Sequence, residues 1–186
     1  MTQSRPRRSS GLARRTAGLA ALVLLALGSA NAWAETSLRG CTEFVGTYLV
    51  DNLDDDGSVD SRSLIVLAAD GTFLFVDSNQ AGVEGSFNPF TDAAGRWSCR
   101  LEDSGKVAEA VVLDFTLPGS EGDAQFVARL DYFDVTVDSD TGAIAGQATL
   151  RFFPLDADPF DAPANTAPPF TFQGQRITTD LLQRPE

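Results

Sequence analysis

The sequence contains no histidine, and this absence excludes more functions than any motif establishes. Without an imidazole there is no Ser-His-Asp triad, and the commonest protein ligand for zinc, copper and iron is missing. Lysine is nearly absent as well, since Lys106 is the only one in the chain. An enzyme built from this sequence would therefore have to use carboxylates, tyrosine, arginine or Lys106.

Long hydrophobic runs are also missing, apart from one near the N-terminus. Five arginines precede the apolar run 17–27, and Ala32-Trp33-Ala34 has the small-x-small pattern that signal peptidases cleave. The run is too short to span a bilayer. We therefore interpret residues 1–34 as a signal peptide of the general secretory route. We expect a secreted or periplasmic protein with no membrane contact after cleavage.

Basic residues are scarce relative to acidic ones, with 14 Lys and Arg against 26 Asp and Glu. The predicted signal peptide holds five arginines and no acid, so the mature chain would carry 9 basic residues against 26 acidic ones, a net charge of −17. A field of this sign repels nucleic acid and anionic lipid and keeps an exported protein dispersed. We therefore expect no nucleic-acid partner.

The chain has only two cysteines, Cys41 and Cys99. In an exported protein such a pair favours a structural disulfide over a reactive thiol. The bond requires Cα atoms within about 7 Å of each other. It therefore predicts that the first strand, beginning near Glu43, lies beside the strand that carries Trp97.

Helical periodicity is absent from the mature chain, which instead shows short apolar alternating runs separated by turn residues. About eight such runs fall within residues 35–177, a length that suits one domain, and residues 178–186 are expected to form a frayed tail. The predicted fold class is all-β, a single antiparallel up-and-down barrel of about eight strands. The alternative is a β-sandwich.

The most regular segment is a long hairpin over residues 126–153. Its first strand changes phase after Tyr132, because Phe133 and the residues that follow continue one position out of step. Such a change is typical of a β-bulge, and pairing from the turn places both Tyr132 and Phe133 opposite Ala148. A long, bulged hairpin belongs in a barrel or a sandwich.

A second hairpin, Leu64 to Val76, turns at Asp70-Gly71 and is apolar on both faces. Both faces of the sheet should therefore be covered. The cover would be a sandwich partner, a second subunit in a homodimer, or the proline-rich excursion 154–169 of the same chain.

Gly46-Thr47-Tyr48 in the first strand and Gly95-Arg96-Trp97 in a later one carry a family resemblance. With the short turns between strands, the pattern over 43–177 resembles the lipocalin and broader calycin barrels, although Tyr48 replaces the tryptophan of their Gly-x-Trp strand. It is equally similar to the allene-oxide-cyclase and dirigent barrels. The resemblance implies a cup that binds a small apolar molecule, with no catalytic residues to carry over.

Aromatic residues on the expected inner faces could line such a cup or form a solid core. They are Phe73, Phe75, Trp97, Phe115, Tyr132 and Phe133. The favoured function is an exported binding module for a small hydrophobic ligand. One alternative is a barrel isomerase, cyclase or lyase that uses a carboxylate or Tyr132. Another is a structural or interaction protein.

Two groups of acidic residues are candidate sites. Asn52, Asp54, Asp56, Ser58 and Asp60 follow the first nine positions of an EF-hand calcium loop. Ser63 replaces the bidentate Glu of position twelve, so the stretch is either a weak calcium site or a solvated turn. In the second group, Asp131, Asp134 and Glu109 would be candidate acids with a raised pKa if they pointed inward.

Overall fold

We describe the protein from a computed structural model that covers residues 38, 40–84, 88–103, 105–118, 125–161 and 165–179. The predicted signal peptide and residues 180–186 of the predicted tail lie outside the described residues. A 3-10 helix, η1 (Thr42–Phe44), comes first. The strands are β1 (Gly46–Leu53), β2 (Val59–Leu67), β3 (Thr72–Asp77), β4 (Ala93–Glu102), β5 (Gly105–Phe115), β6 (Phe126–Val137), β7 (Ala143–Pro154), β8 (Asn165–Thr166) and β9 (Phe170–Arg176).

The strands form one closed antiparallel barrel. Each strand from β1 to β7 pairs with the next, β9 pairs with β7, and β9 also pairs with β1, which closes the ring. The short β8 pairs with the same edge of β7 as β9 does. β8 and β9 therefore occupy one position, and the barrel has eight strands around its circumference. The predicted up-and-down barrel is confirmed, and the sandwich alternative is wrong. In the part of the chain that the structure describes, no helix is long and apolar enough to cross a membrane.

The barrel has two different ends, because an antiparallel meander places successive connections at opposite ends. At the end that we call closed lie η1 and the tight turns that contain Gly71 and Gly142. At the other, open end lie the connections that follow β1, β3, β5 and β7. Most of these are longer than the turns at the closed end.

The half of the interior next to the closed end, which we call the closed half, is packed with aromatic rings. The Tyr132 ring lies 4.9 Å from the Phe73 ring and 5.6 Å from the Phe172 ring. Small side chains at Ala110 and Ala148 lie directly beside Tyr132 in the sheet and leave room for its ring. The void found among these rings is only about 10 Å³, too small to hold a ligand.

The disulfide between Cys41 and Cys99 is present, with the Cα atoms 6.1 Å apart. The predicted pairing is therefore confirmed. The predicted neighbourhood of β1 and β4 is wrong, because β2 and β3 lie between them in the sheet. The bond instead crosses the closed end from Cys41, the residue that caps η1.

Arg176 joins the last strand to the start of the barrel. Its guanidinium lies over the Tyr48 ring, donates to the Tyr48 hydroxyl at 2.7 Å, and also donates to the Glu43 carbonyl. The Tyr48 hydroxyl in turn donates to the Phe44 carbonyl at 2.8 Å. These contacts fasten η1 beneath the closed half.

The β6–β7 hairpin contains the predicted bulge, at a different residue. Phe133 pairs with Gln147, and Asp134, with φ of 53°, is the extra residue beside Val135. The prediction that both Tyr132 and Phe133 oppose Ala148 is therefore wrong for Phe133. A Cβ on Gly146, opposite the bulge, would lie 2.8 Å from the Phe172 ring, so glycine lets that ring enter the core.

The outer face of β1, β2 and β3 carries an apolar belt that the described residues leave exposed. It consists of Leu49, Leu64, Leu74 and Val76, each 39 to 44 % exposed. Leu64 pairs with Leu49 on one side and with Val76 on the other, so the belt is continuous across the three strands. The expectation that both faces of the β2–β3 hairpin are covered is therefore not met within the described chain.

The excursion after β7 packs elsewhere. Arg129 on β6 donates to the Pro159 carbonyl at 3.2 Å, and its guanidinium lies over the Phe160 ring. Residues 155–161 therefore sit against the outer face of β6, away from the apolar belt. This corrects the idea that the proline-rich segment would cover the β2–β3 hairpin.

Candidate functional site

The half of the interior next to the open end, which we call the open half, contains a cavity of about 390 Å³. This volume falls within the roughly 300–1,000 Å³ typical of small-molecule pockets. Its wall is mainly apolar, formed by Leu53, Phe75, Phe90, Ala128, Leu130, Leu150, Phe152 and Phe170. The polar lining consists of Asn52, Asp54, Asp60, Ser61, Asp77, Asn79, Asn88, Asp114 and Thr116.

The cavity exists because small side chains face inward where the closed half has large ones. Asp114 on β5 lies directly beside Ala128 on β6, and Ala128 lies beside Phe152 on β7. Both Asp114 and Ala128 are much smaller than Tyr132, which faces inward four residues further along β6. The same alternation that fills one half therefore leaves space in the other.

A buried hydrogen-bond network holds Asp77 at one side of the cavity. Its Oδ2 accepts from the Ser63 hydroxyl at 2.6 Å, from the Ser61 hydroxyl at 3.0 Å and from the Asn52 amide at 3.0 Å. Its Oδ1 accepts from the backbone N–H of Asn79 at 2.7 Å. Four donors thus converge on one carboxylate, so Asp77 is a fixed polar group on the cavity wall.

Asp114, the other deep carboxyl on the cavity wall, lacks such donors among the described residues. The residue is 4 % exposed, and its Oδ1 is buried with no hydrogen-bond partner. Burial raises the pKa of its carboxyl to about 7, because the ionised form loses its hydration. A buried polar group without a partner costs free energy, so Asp114 is a polar group on the cavity wall whose acceptor capacity the described residues leave unused.

Tyr132 is buried in the closed half. Its hydroxyl is buried without a hydrogen-bond partner. Burial, with added repulsion from the carboxylates of Asp77 and Asp114, raises its pKa well above the usual range. The hydroxyl therefore keeps its proton and lies within electrostatic range of both carboxylates.

The aromatic residues predicted for the pocket separate into three groups. Phe75 lines the cavity. Phe73, Trp97 and Tyr132 are buried in the closed half, where they form core and line only the small void of about 10 Å³. Of the two expectations for inner aromatic residues, a pocket lining or a solid core, the structure shows core packing for these three.

Phe115 and Phe133 lie outside the barrel, and their predicted pocket role is corrected. Phe115 is 51 % exposed on the outer face of β5, and Phe133 is half-buried on the outer face of β6 beside the bulge. Both faces of β5 are apolar, so its pattern does not reveal the inward one. The larger residues face out, whereas Ala108 and Ala110 face in because the rings of the closed half need the space.

The acids considered as inward carboxylates all point away from the cavity. Asp131 forms ion pairs on the outer face with Arg129 at 2.7 Å and Arg151 at 2.9 Å. Asp134 is exposed in the bulge, and Glu109 is exposed and paired with Arg100. An inward carboxylate does exist, but it is Asp114. Its signal in the sequence was a charge inside the apolar run Val111 to Leu117.

The predicted calcium ligands are not brought together. Asn52 points into the interior network with Asp77, whereas Asp54, Asp56 and Ser58 form the tight β1–β2 turn, in which the Ser58 N–H donates to Asp56 at 2.9 Å. Asp60 lies at the cavity mouth. Across the described ranges, no group of three or more Asp, Glu, Cys or His residues is arranged to hold a metal ion.

No family model, curated protein or solved structure matches this chain. Its class therefore follows from the fold and the site alone. The protein is a closed, eight-stranded, up-and-down β-barrel with one packed half and one half that encloses an acid-lined cavity.

Proposed function

We propose that this protein is an exported binding module for a small, largely apolar ligand that enters at the open end. The observation that carries the proposal is the cavity of about 390 Å³. A barrel of eight strands is just wide enough for side chains to fill, and the closed half shows that this chain can fill it. The open half is left unfilled and walled by rings and leucines, which suits a small apolar guest.

Three further points agree with this function. The Cys41–Cys99 disulfide suits an oxidising compartment, as the predicted signal peptide does. The resemblance of Gly46-x-Tyr48 to the calycin barrels implies the same kind of cup. Finally, the connections at the open end are long enough to border an entrance, whereas tight turns and η1 occupy the opposite end.

A fluorescence titration with N-phenyl-1-naphthylamine, a neutral apolar probe, tests the proposal. We expect saturable binding by the wild type with one site per chain. Leu150→Trp places an indole in the cavity, so we expect it to weaken binding by about tenfold or more. Leu64→Trp is the matched control, because it adds the same ring to the exposed apolar belt and should bind as the wild type does.

Equal probe affinity in the two tryptophan variants would show that the probe binds outside the cavity and would contradict the proposal. Native mass spectrometry of the protein purified from its own host addresses the natural ligand. We expect a small molecule to co-purify with the wild type and to be depleted in Leu150→Trp. A ligand carried equally by both variants would also contradict the proposal.

A barrel isomerase, cyclase or lyase is the second candidate, favoured by one observation. Asp114 is an inward carboxyl on the cavity wall, and burial raises its pKa to about 7, which suits general acid–base chemistry near neutral pH. The test is to incubate the co-purified ligand with the wild type and with Asp114→Asn and to follow it by NMR. A product formed by the wild type alone would establish the enzyme. An unchanged ligand favours the binding module.

A further inference from the structure

The charge inside the cavity is entirely of one sign. Four carboxylates line it, from Asp54 and Asp60 at the mouth and from Asp77 and Asp114 deeper in. Among the described lining residues there is no lysine or arginine to balance them. An apolar wall with unbalanced acids would bind a wholly apolar guest less well than a guest that carries a positive charge.

We propose that the ligand is an amphipathic amine whose protonated nitrogen pairs with the Asp114 carboxylate while its apolar part fills the cavity. This inference rests on the proposed binding function and names the chemical class of the ligand. The unpartnered Asp114 Oδ1 is the acceptor that an ammonium N–H donor would satisfy. A charge-assisted bond of this kind is about twice as strong as a neutral hydrogen bond.

Asp114 is better suited to this role than Asp77. Asp77 already accepts from Ser61, Ser63, Asn52 and a backbone N–H, so a ligand would have to displace these donors. Asp114 has no such contacts at Oδ1 and is not ion-paired in the described structure. Asp77 then acts as a second, fixed negative charge that strengthens the field without binding the cation itself.

The surrounding wall favours a cation over an anion or a neutral hydroxyl. The rings of Phe75, Phe90, Phe152 and Phe170 line the same space, and aromatic faces attract ammonium groups. The carboxylates at the mouth would raise the local concentration of cations and repel anions. A neutral alcohol could donate one hydrogen bond to Asp114 but would leave the buried charge uncompensated.

The proposal predicts a pH dependence. Burial raises the pKa of Asp114 to about 7, so protons compete with the amine below that pH. The other titratable groups that face it are Asp77 from β3, Tyr132 from β6, Asp60 from β2 and Asp54 from the β1–β2 turn. The described lining residues of β7 and β9 are all apolar. Amine affinity should therefore rise about tenfold per pH unit below pH 7 and level off above it.

Three probes of nearly equal shape separate charge from apolar contact. They are 4-phenylbutylamine, 4-phenylbutan-1-ol and 4-phenylbutyrate, each measured by isothermal titration calorimetry and by displacement of N-phenyl-1-naphthylamine. At pH 8 we expect the amine to bind about tenfold or more tightly than the alcohol, and the carboxylate to bind more weakly than either. At pH 5 the preference for the amine should be lost.

Two variants locate the effect. Asp114→Asn keeps the shape of the side chain and removes its charge, so it should weaken amine binding by about tenfold or more and leave the alcohol nearly unchanged. Glu109→Gln is the matched control, because it removes the same charge from the exposed outer face of β5. It should bind all three probes as the wild type does.

The outcomes separate this inference from the proposed function. Binding of the neutral naphthylamine with no preference for the amine, or a preference that persists in Asp114→Asn, would overturn the amine assignment and leave the binding module intact. Failure of the naphthylamine to bind at all would overturn both. The pH comparison needs only the wild type, so it remains decisive if Asp114→Asn folds poorly.

Discussion

The two halves of the barrel interior differ although the same strands run through both. In the closed half, Tyr132 and Trp97 lie beside alanines, and a void of only about 10 Å³ is found there. In the open half, Asp114 and Ala128 lie side by side in the sheet, and a cavity of about 390 Å³ remains. The closed half also holds the disulfide and the Arg176 contacts, whereas the open half holds an unpartnered carboxyl.

Under the proposed function, the closed half supplies stability and the open half supplies the ligand site. Packed rings and a covalent bond stabilise the closed half, so it can support an open half that buries polar groups at a cost in free energy. Substitutions in the two halves should therefore have different main consequences. Those in the closed half should reduce stability, and those in the open half should change binding and pH dependence.

The largest expected effect is loss of the disulfide. The bond closes a segment with a sequence separation of 58, so Cys41→Ser with Cys99→Ser should lower the free energy of unfolding by about 4 kcal/mol in the chain-entropy model. Denaturant unfolding of the variant and of the oxidised wild type measures it. Intact mass after alkylation without reductant is the control. Two alkylated thiols in native exported protein would contradict the bond.

A second comparison substitutes one large side chain in each half. Trp97 is 4 % exposed and its indole N–H donates to the Ala68 carbonyl at 2.9 Å, so Trp97→Ala should lower the free energy of unfolding by about 3 kcal/mol or more. Leu150 already borders a cavity, and Leu150→Ala should cost about 1 kcal/mol. Equal losses in urea unfolding would show that the two halves are packed alike.

The third prediction concerns pH. The folded pKa of Asp114 is raised from 3.8 to about 7, so between these values the folded state holds a proton that the unfolded state has released. Stability therefore falls as pH rises through this window, by about 2 kcal/mol between pH 5 and pH 7. Asp114→Asn should lack this loss. Parallel stability curves for the two proteins would place the Asp114 carboxyl in water instead.

The smallest effect on stability is expected on the outside. Replacing Leu64 and Leu74 by Asp in the exposed apolar belt should change the free energy of unfolding by about 0.5 kcal/mol or less per site.

The same double substitution should abolish association between two copies of the protein. We expect the wild type to form a homodimer through the belt at micromolar concentration, more strongly at high salt, which screens the like charges. Sedimentation velocity measures this, and a wild-type monomer in high salt would contradict it.

Much of the fold followed from local patterns in the sequence. The alternation in β7, the Asp70-Gly71 turn and the phase change in β6 predicted the β2–β3 and β6–β7 hairpins and the bulge, because strand pairing is specified by side chains two residues apart. The cysteine pair was predicted from compartment and number. The position of the bulge was missed, since the pattern shows that a residue is inserted but not which residue it is.

The candidate site was less accessible to sequence reasoning. Phe115 was expected inside because it is large and apolar, whereas the structure places the smaller Asp114 inside. Asp77 ends an apolar strand, and its place among Asn52, Ser61 and Ser63 depends on three strands meeting at one register. Calcium ligands were inferred from spacing along the chain, but the Asn52 side chain points into the barrel and lies apart from the other predicted ligands.

The sequence by itself determined the all-β class, the disulfide partners and the acidic charge, and its strand lengths and turns indicated a barrel. These depend on composition and on contacts between neighbours in the chain. Only the tertiary structure decided which face of β5 points inward, which half is filled and which carboxyl is left without a partner. Those features depend on the volumes of side chains from several strands that meet across the barrel, and no single strand carries that information.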